Sequence, residues 1–336
     1  MAKITVVSLF CGCGGFDLGL KNAGLDIIYA NEIDEWACKT YAKNLGSVIC
    51  ADINSISVKD VPRADVIVGG IPCQSFSLAG KRLGLEDTRG TLFYSMANII
   101  KEKRPKLFVI ENVKGLKNHN NGKTYQHMKI VLHDLGYNIT ENILNAADYG
   151  VPQLRERIFI VGTRADITNT FFFPTPTVDR HVTTKEAIDD IWRNPEKFHN
   201  NEPMKHTQRI VDRFKVIKQG QSLKDVPEEH MQRKRGEAEK ISGKVFGQNN
   251  LRLKENEPSP TICASFQSNF IHYKKHRNLT AREAARLQSF PDDFIFCGKR
   301  TTMSWEKDLS QYQQIGNAVP PILAKQIGLS IKKVLK

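Results

Sequence analysis

Short apolar runs recur through the first 165 residues, each followed by a segment with helical spacing. ITVVSLF at the start reads as a buried strand. Gly12, Gly14 and Gly15 then turn the chain into FDLGLKNAG, where Gly24 marks a helix stop. DIIYANEID predicts a second strand ending in acids, and the amphipathic stretch from Trp36 to Asn44 a second helix. SVICADI, DVIVGGI, LFVIEN and RIFIVGTR predict further strands, with TLFYSMANIIKEK and QHMKIVLHDLG as helices between them. This alternation predicts an α/β fold with a mostly parallel sheet and helices on both faces. Ligands of such sheets sit at the carboxyl ends of the strands. Gly14, Glu32, Asp52, Cys73 and Glu111 all fall at or just beyond predicted strand ends, so one edge of the sheet collects the chemistry.

The pattern changes near Phe171. FFFPTPTVDRHVTT is a proline-punctuated connector, and regular alternation stops after it. Between Pro174 and Arg300 there are 24 Lys and Arg against 17 Asp and Glu, an excess of 7. KHTQRIVDRFKVIKQGQSLK and FIHYKKHR concentrate it, although such runs are as often a solvated face as a binding surface. LTAREAARLQSFPDDF predicts a helix opened by a capping box, Thr280 to Glu283. GNAVPPILAKQIGLSIKKVLK ends in an apolar-faced helix able to return to the first domain. The expected organisation is a catalytic domain of residues 1–173 and 306–336, with a small, irregular second domain at 174–305.

Composition narrows the class. At 336 residues, 40% apolar and 25% charged, the chain is an ordinary globular protein. No apolar run approaches the roughly 20 residues that span a bilayer, and MAKITVVSLF reads as a strand rather than a leader. A soluble, cytoplasmic protein with no membrane partner is expected. The seven cysteines fit neither a disulfide framework nor a zinc site, so reduced thiols and no metal are expected. A formal charge of +13 points to a polyanionic partner.

Four motifs carry candidate chemistry. FCGCGGFDLG lies where backbone approaches a nucleotide, but its third glycine position holds Asp17, which breaks the dinucleotide fingerprint. Glu32, 20 residues after Gly12, is placed to accept both ribose hydroxyls. With Asp52 at a third strand end, the set suits an adenosine without a pyrophosphate, S-adenosylmethionine rather than NAD; Asp52 is equally well an exposed strand-end acid. Glu111 in ENV is either a strand cap or an acid whose pKa partial burial raises. Arg155 and Arg157 in QLRERIFIVG share one face of an extended segment, as a surface ladder or as fixed cations beside a thiolate. Cys73 in GGIPCQSFSLAGKRLG follows a proline at a strand end, as a core thiol or a nucleophile.

Taken together, FCGCGG, NEID, GGIPCQSFSLAG, RGTLF, ENVKG, NAADYGVPQLRERIFIVG, LTAREAARLQSFPDDF and QIGNAVPP make the chain closely resemble the cytosine-5 DNA methyltransferases, in order and over nearly the whole length. The one long stretch without a family motif, about residues 172–260, corresponds to the family's variable target-recognition region. The resemblance implies a Rossmann-like class I methyltransferase fold and S-adenosylmethionine as donor, with S-adenosylhomocysteine as product. It implies that Cys73 adds to carbon 6 of a flipped cytosine, that Glu111 serves ring nitrogen 3, and that Arg155 and Arg157 hold the base carbonyl and favour the thiolate. Phe10, Gly12, Gly14, Gly15, Glu32, Ile33, Asp52, Ile53, Pro72, Leu92, Asn317 and Ala318 map onto the donor-binding positions. The loop from Gln74 to Thr91 resembles the family's closing loop, with Gln74, Ser77, Lys81, Arg82 and Arg89 toward DNA, joined by Thr261. Departures are small: Cys11 and Cys13 fill variable positions, and Ala318 stands where Ser is common.

Other readings stay open at this point. The tRNA-methylating branch shares the core motifs, although the long basic segment favours double-stranded DNA. A silent DNA-binding relative is opposed by the intact Cys73, Glu111, Arg155 and Arg157, and a nicotinamide oxidoreductase by Asp17. The architecture leads one to expect a monomeric prokaryotic or phage modification enzyme, paired with a restriction endonuclease.

Overall fold

The computed structural model describes residues 3–71, 92–230, 233–234, 237–241, 250–264, 269–302 and 306–336. The chain divides into two compact units, one of residues 1–149, 155–179 and 318–336, the other of 150–154 and 180–317.

In the larger unit, β1 (Thr5–Leu9), β2 (Asp26–Glu32), β3 (Ile49–Cys50), β4 (Val66–Gly70), β5 (Leu107–Val113), β6 (Tyr137–Asn145) and β7 (Glu156–Arg164) form one sheet in the order β3-β2-β1-β4-β5-β7-β6. The first five strands run parallel, and β7 is antiparallel to both β5 and β6. The fully buried runs Val66–Val68, Leu107–Ile110 and Ile158–Val161 are strands covered on both faces, hence apolar without alternation. Helices α1 (Gly15–Asn22), α2 (Glu35–Leu45), α3 (Leu92–Lys103) and α4 (Lys123–Asp134) follow the predicted segments. Val7, Ile67, Phe108 and Ile160 form one core with Phe93 and Met96 of α3 and Met128 and Leu132 of α4. On the opposite face Phe16 of α1 meets Phe159 edge to face, with ring centroids 6.3 Å apart. The C-terminal helix (Pro321–Leu335) lies against α1 so closely that a Cβ at Gly19 would sit 2.4 Å from Ala324 Cβ.

Two elements differ from the sequence reading. SVICADI is a strand only at Ile49–Cys50, because Asp52 caps a short 3-10 turn at Ile53–Ser55 and ends the pairing. β6 was not among the predicted strands. Its sequence, YNITENILN, is largely polar because it forms the edge of the sheet.

In the smaller unit, α5 (Thr184–Arg193) and α6 (Gln208–Val216) precede an antiparallel pair, β8 (Arg233–Lys234) with β9 (Glu237–Ile241), and a parallel pair, β10 (Leu251–Arg252) with β11 (Phe270–Ile271). Helices α7 (Ala281–Leu287) and α8 (Gln311–Asn317) follow, which makes the C-terminal helix α9. Both halves of the predicted capping box at Thr280 and Glu283 are formed. Phe214, Ile217, Leu223, Val226 and Ile271 make a small core, and Phe290, Phe294 and Phe296 a second aromatic one. Among the described residues no helix is long and apolar enough to cross a membrane.

Candidate active site

Between β1 and β4 the strand order reverses, the place at which sheets of this kind bind ligands beyond the carboxyl ends of their strands. The turn leaving β1 is left-handed at Phe10 (φ 54°), Gly12 (φ 56°) and Gly14 (φ 94°). The two glycines answer different demands. A Cβ at Gly14 would come within 2.3 Å of Leu45 Cδ1 and 2.9 Å of Tyr41 Cδ2, so the turn can lie on α2 only without one. A Cβ at Gly12 would meet nothing within 4 Å, so that side of the turn faces open space. Gly15 begins α1 and is buried.

Asp17, which breaks the dinucleotide pattern, is fully buried in the first turn of α1. The Ser8 hydroxyl donates to it at 2.6 Å and the Tyr41 hydroxyl at 2.7 Å. Burial pushes its pKa up to about 6, against the two hydroxyl bonds and Lys21. A carboxylate therefore already complements the positive end of α1, where a dinucleotide fold would receive phosphate.

Glu32 ends β2 and is 9% exposed. Its Oε2 accepts Gly12 N at 2.8 Å, while Oε1 accepts Ile33 N at 2.8 Å and Asp34 N at 3.0 Å. The first of these bonds pins the glycine turn to the end of β2, and the other two hold the turn that leaves β2. Together they use three of the roughly four acceptor positions of a carboxylate. Burial raises its pKa, and the three amides oppose the rise. Glu32 pairs in register with Cys50, and Ala51 N donates to Glu32 O at 2.9 Å, so Asp52 follows at the same edge. Asp52 Oδ1 accepts Asn54 N at 2.9 Å; Ile53 is buried and Ile33 is 65% exposed. Leu92 is the half-buried first residue of α3. Ala318 is buried in the larger unit and Asn317 is exposed at the end of α8 in the smaller one.

At the neighbouring strand ends, Gly70 of β4 is in register with Glu111 of β5. The Asn112 side chain donates to Ile71 O at 2.9 Å and fixes the chain two residues before Cys73. Sequence reasoning passed over Asn112, because nothing separates an amide beside a strand-end acid from a surface polar residue. Glu111 is 7% exposed, and its Oε1 lies 3.2 Å from Arg157 Nε. Burial raises the Glu111 pKa, while Arg157 and then Arg155 pull it down. Arg155 is 1% exposed; its backbone N donates to Asn145 Oδ1 at 3.1 Å and its Nη2 to Ala318 O at 3.0 Å. In the smaller unit the Thr261 hydroxyl donates to Leu154 O at 2.7 Å. Pro72, Cys73, Gln74, Ser77, Lys81, Arg82 and Arg89 lie outside the described residues. Among the described residues no group of three His, Cys, Asp or Glu could hold a metal ion.

Comparison with known proteins agrees with this arrangement. The family model for C-5 cytosine-specific DNA methylases matches residues 4–333. The chain is 47% identical to the type II methyltransferase M.DdeI of Desulfomicrobium norvegicum, covering 96% of this chain and 87% of that one. It is 39% identical to M.NgoFVII of Neisseria gonorrhoeae, covering 98% and 86%. Among solved structures, a candidate DNA modification methyltransferase encoded within a prophage (Escherichia coli) shares the fold, with a TM-score of 0.75, 23% identity and 99% coverage of both chains. A strand-end carboxyl paired with an arginine, a bare glycine turn pinned to a second carboxyl, and a family match along the whole length converge, and the chain belongs to the C-5 cytosine-specific DNA methylase family.

Proposed function

We propose that the protein methylates carbon 5 of a cytosine in double-stranded DNA at a defined sequence, using S-adenosylmethionine. The observation that carries this reading is the Glu111–Arg157 pair at 3.2 Å, with Glu111 on the strand in register with β4, whose sequence runs on to Cys73. Gly12, Glu32, Asp52 and Ile53 would hold the donor, with Phe10, Gly14, Gly15, Ile33, Pro72, Leu92, Asn317 and Ala318 completing its surroundings. The open space at Gly12 and the remaining acceptor position on Glu32 fit that assignment. When bound, the donor supplies an electrophilic methyl group.

Carbon 5 of cytosine is a weak nucleophile, and the chain's own residues change that. The Cys73 thiolate forms a bond to carbon 6, which breaks the ring's aromaticity and moves an electron pair toward carbon 5 and nitrogen 3. Glu111, kept protonated to higher pH than an ordinary carboxyl by its burial, meets nitrogen 3 with its proton. Of the two arginines, Arg157 borders Glu111, and we assign it the base carbonyl; Arg155, sealed against Ala318 O, contributes its fixed charge. With the donor's methyl group taken up at carbon 5, loss of the carbon 5 proton to water, return of the nitrogen 3 proton to Glu111 and expulsion of Cys73 as thiolate then restore the aromatic ring. Reaching these groups requires the base to leave the duplex, at a cost of a few kcal/mol. Gln74, Ser77, Lys81, Arg82, Arg89 and Thr261 are assigned to the DNA. The enzyme would act as a cytoplasmic monomer beside a restriction endonuclease, a pairing in keeping with its type II relatives.

The test supplies labelled S-adenosylmethionine with duplex DNA or tRNA and maps 5-methylcytosine at base resolution. Label in DNA at a recurring sequence is expected, and label in tRNA alone would overturn the reading. Cys73→Ala should bind DNA and transfer nothing; turnover by that variant would remove the covalent step.

A further inference from the structure

We propose that Gln153, two residues before Arg155, is a positioning residue for methyl transfer, anchored to the turn of Thr261 through one buried amide. The proposal deepens the cytosine reading and rests on it. Gln153 and Gln288 are both fully buried. Gln153 Oε1 accepts Ile262 N at 2.9 Å, and its Nε2 donates to Gln288 Oε1 at 2.8 Å and to Leu287 O at 3.2 Å. Gln288 Nε2 passes the chain of bonds on to Ile315 O at 2.7 Å, two residues before Asn317. Backbone bonds reinforce it: Leu154 N donates to Ser259 O at 2.8 Å and Ser259 N to Pro152 O at 3.0 Å.

The pairing is consecutive. Thr261 holds Leu154 O through its hydroxyl, and Ile262 holds the side chain of Gln153, so two neighbours in one turn grip two neighbours in the other segment. All of these groups belong to the smaller unit, yet the residue after Leu154 is Arg155, which belongs to the larger one. Gln153 is thus the last side-chain anchor before the chain enters the arginine strand. Gln153 and Leu154 therefore fix the backbone from which Arg155 follows. Only an amide serves here, because the site needs an acceptor for Ile262 N and donors for Gln288 and Leu287 in a dry interior. Glu at the same position keeps the shape and the acceptor but offers no such donors.

The experiment compares wild type, Gln153→Glu, Gln288→Met and the double variant in single-turnover methyl transfer, S-adenosylhomocysteine binding, thermal unfolding and sequencing of methylated sites. For Gln153→Glu we expect transfer slowed by about tenfold or more, analogue affinity within about twofold, and a narrowed preference between the main site and its single-base neighbours. Gln288→Met should shift both quantities in the same direction, and the double variant should be no slower than Gln153→Glu, since neighbours in one network are not additive. Wild-type rate and preference in Gln153→Glu would overturn the proposal. So would rate, analogue affinity and Tm falling together in Gln153→Glu while Gln288→Met behaves as wild type. If Gln153→Glu does not fold, Gln288→Met decides: wild-type rate and preference overturn the proposal, and slowed transfer with intact analogue binding supports it. Failure of the cytosine reading looks different, because wild type itself would then label no DNA.

Discussion

Arg157 Nε lies 3.2 Å from Glu111 Oε1, with the two side chains 12% and 10% exposed. Burial drives the carboxyl toward its neutral form, and Arg157 is the leading influence against it. Glu111→Gln keeps the shape and removes the transferable proton, so methyl transfer should fall by about 10²–10⁴-fold with S-adenosylhomocysteine affinity unchanged. Single-turnover kinetics beside calorimetric binding of that analogue checks it; a fall of less than about tenfold would remove Glu111 from the acid role.

Replacing the arginine should move the acid rather than delete it. Arg157→Gln removes the cation that lowers the Glu111 pKa, so the pH at which Glu111 loses its proton should rise. The rate of the variant should be lower throughout, and its Glu111-dependent limb should lie at higher pH than in wild type. A limb at unchanged or lower pH would show that the two side chains are not coupled in solution.

Gly12 and Gly14 differ in their surroundings, and substitution should separate them. Gly14→Ala drives a methyl into Leu45 and Tyr41 at a positive φ, and should destabilise by about 2–4 kcal/mol. Gly12→Ala meets no neighbour, so only its strained φ costs stability, about 1 kcal/mol. That methyl should nevertheless fill space assigned to the donor, weakening S-adenosylhomocysteine by about tenfold or more. Urea unfolding and calorimetric titration of both variants give the two numbers independently.

What could be seen beforehand depended on how local its physics is. Strands such as VIVGG and LFVIENV are buried on both faces and announce themselves as apolar runs. β6 did not, because an edge strand carries little apolar signal. Glu32 and Glu111 were legible because an acid ending an apolar run is conspicuous within a few residues. Asp17 was visible only as a missing glycine. Its partners Ser8 and Tyr41 lie 9 and 24 positions away, and only folding brings them together. Gln153 and Arg252 are harder still, since their bonds cross 109 and 38 positions and nothing local distinguishes a buried amide or guanidinium from a surface one.

Asp17 should make part of the stability depend on pH. Its folded pKa, about 6, stands above the ordinary 3.8 of an aspartate because burial outweighs its hydroxyl partners. A raised acid contributes its full stabilisation below the unfolded pKa and loses it as pH rises through the folded one. Between pH 3.8 and 6 the loss amounts to about 3 kcal/mol. Asp17→Asn does not titrate, so the stability of wild type relative to this variant should fall by about that amount from acid to neutral pH. Other groups titrate in both proteins and cancel in the difference. Urea unfolding of the pair across that interval checks it, and a flat difference would mean that Asp17 is not held as a buried acid.

Arg252 organises the smaller unit in a way that lysine cannot copy. Its side chain is buried, with Nε donating to Ile217 O at 2.6 Å, Nη1 to His272 O at 2.8 Å and Lys275 O at 2.9 Å, and Nη2 to Phe214 O at 2.5 Å. Burial lowers its pKa to about 10, which leaves it charged at neutral pH. One planar fork thus ties the end of α6 to the turn that presents Tyr273, Lys274 and Lys275. An ammonium has three donors radiating from one point, so Arg252→Lys leaves carbonyls unpaired in a dry interior and should cost about 2–4 kcal/mol. The loosened basic turn should weaken duplex DNA binding by about tenfold, while S-adenosylhomocysteine affinity stays within about twofold because Gly12, Glu32 and Ile53 belong to the other unit. Urea unfolding, a DNA-binding titration and analogue calorimetry on Arg252→Lys measure the three quantities. Retained stability would mean that the charge alone, and not the fork, holds the turn.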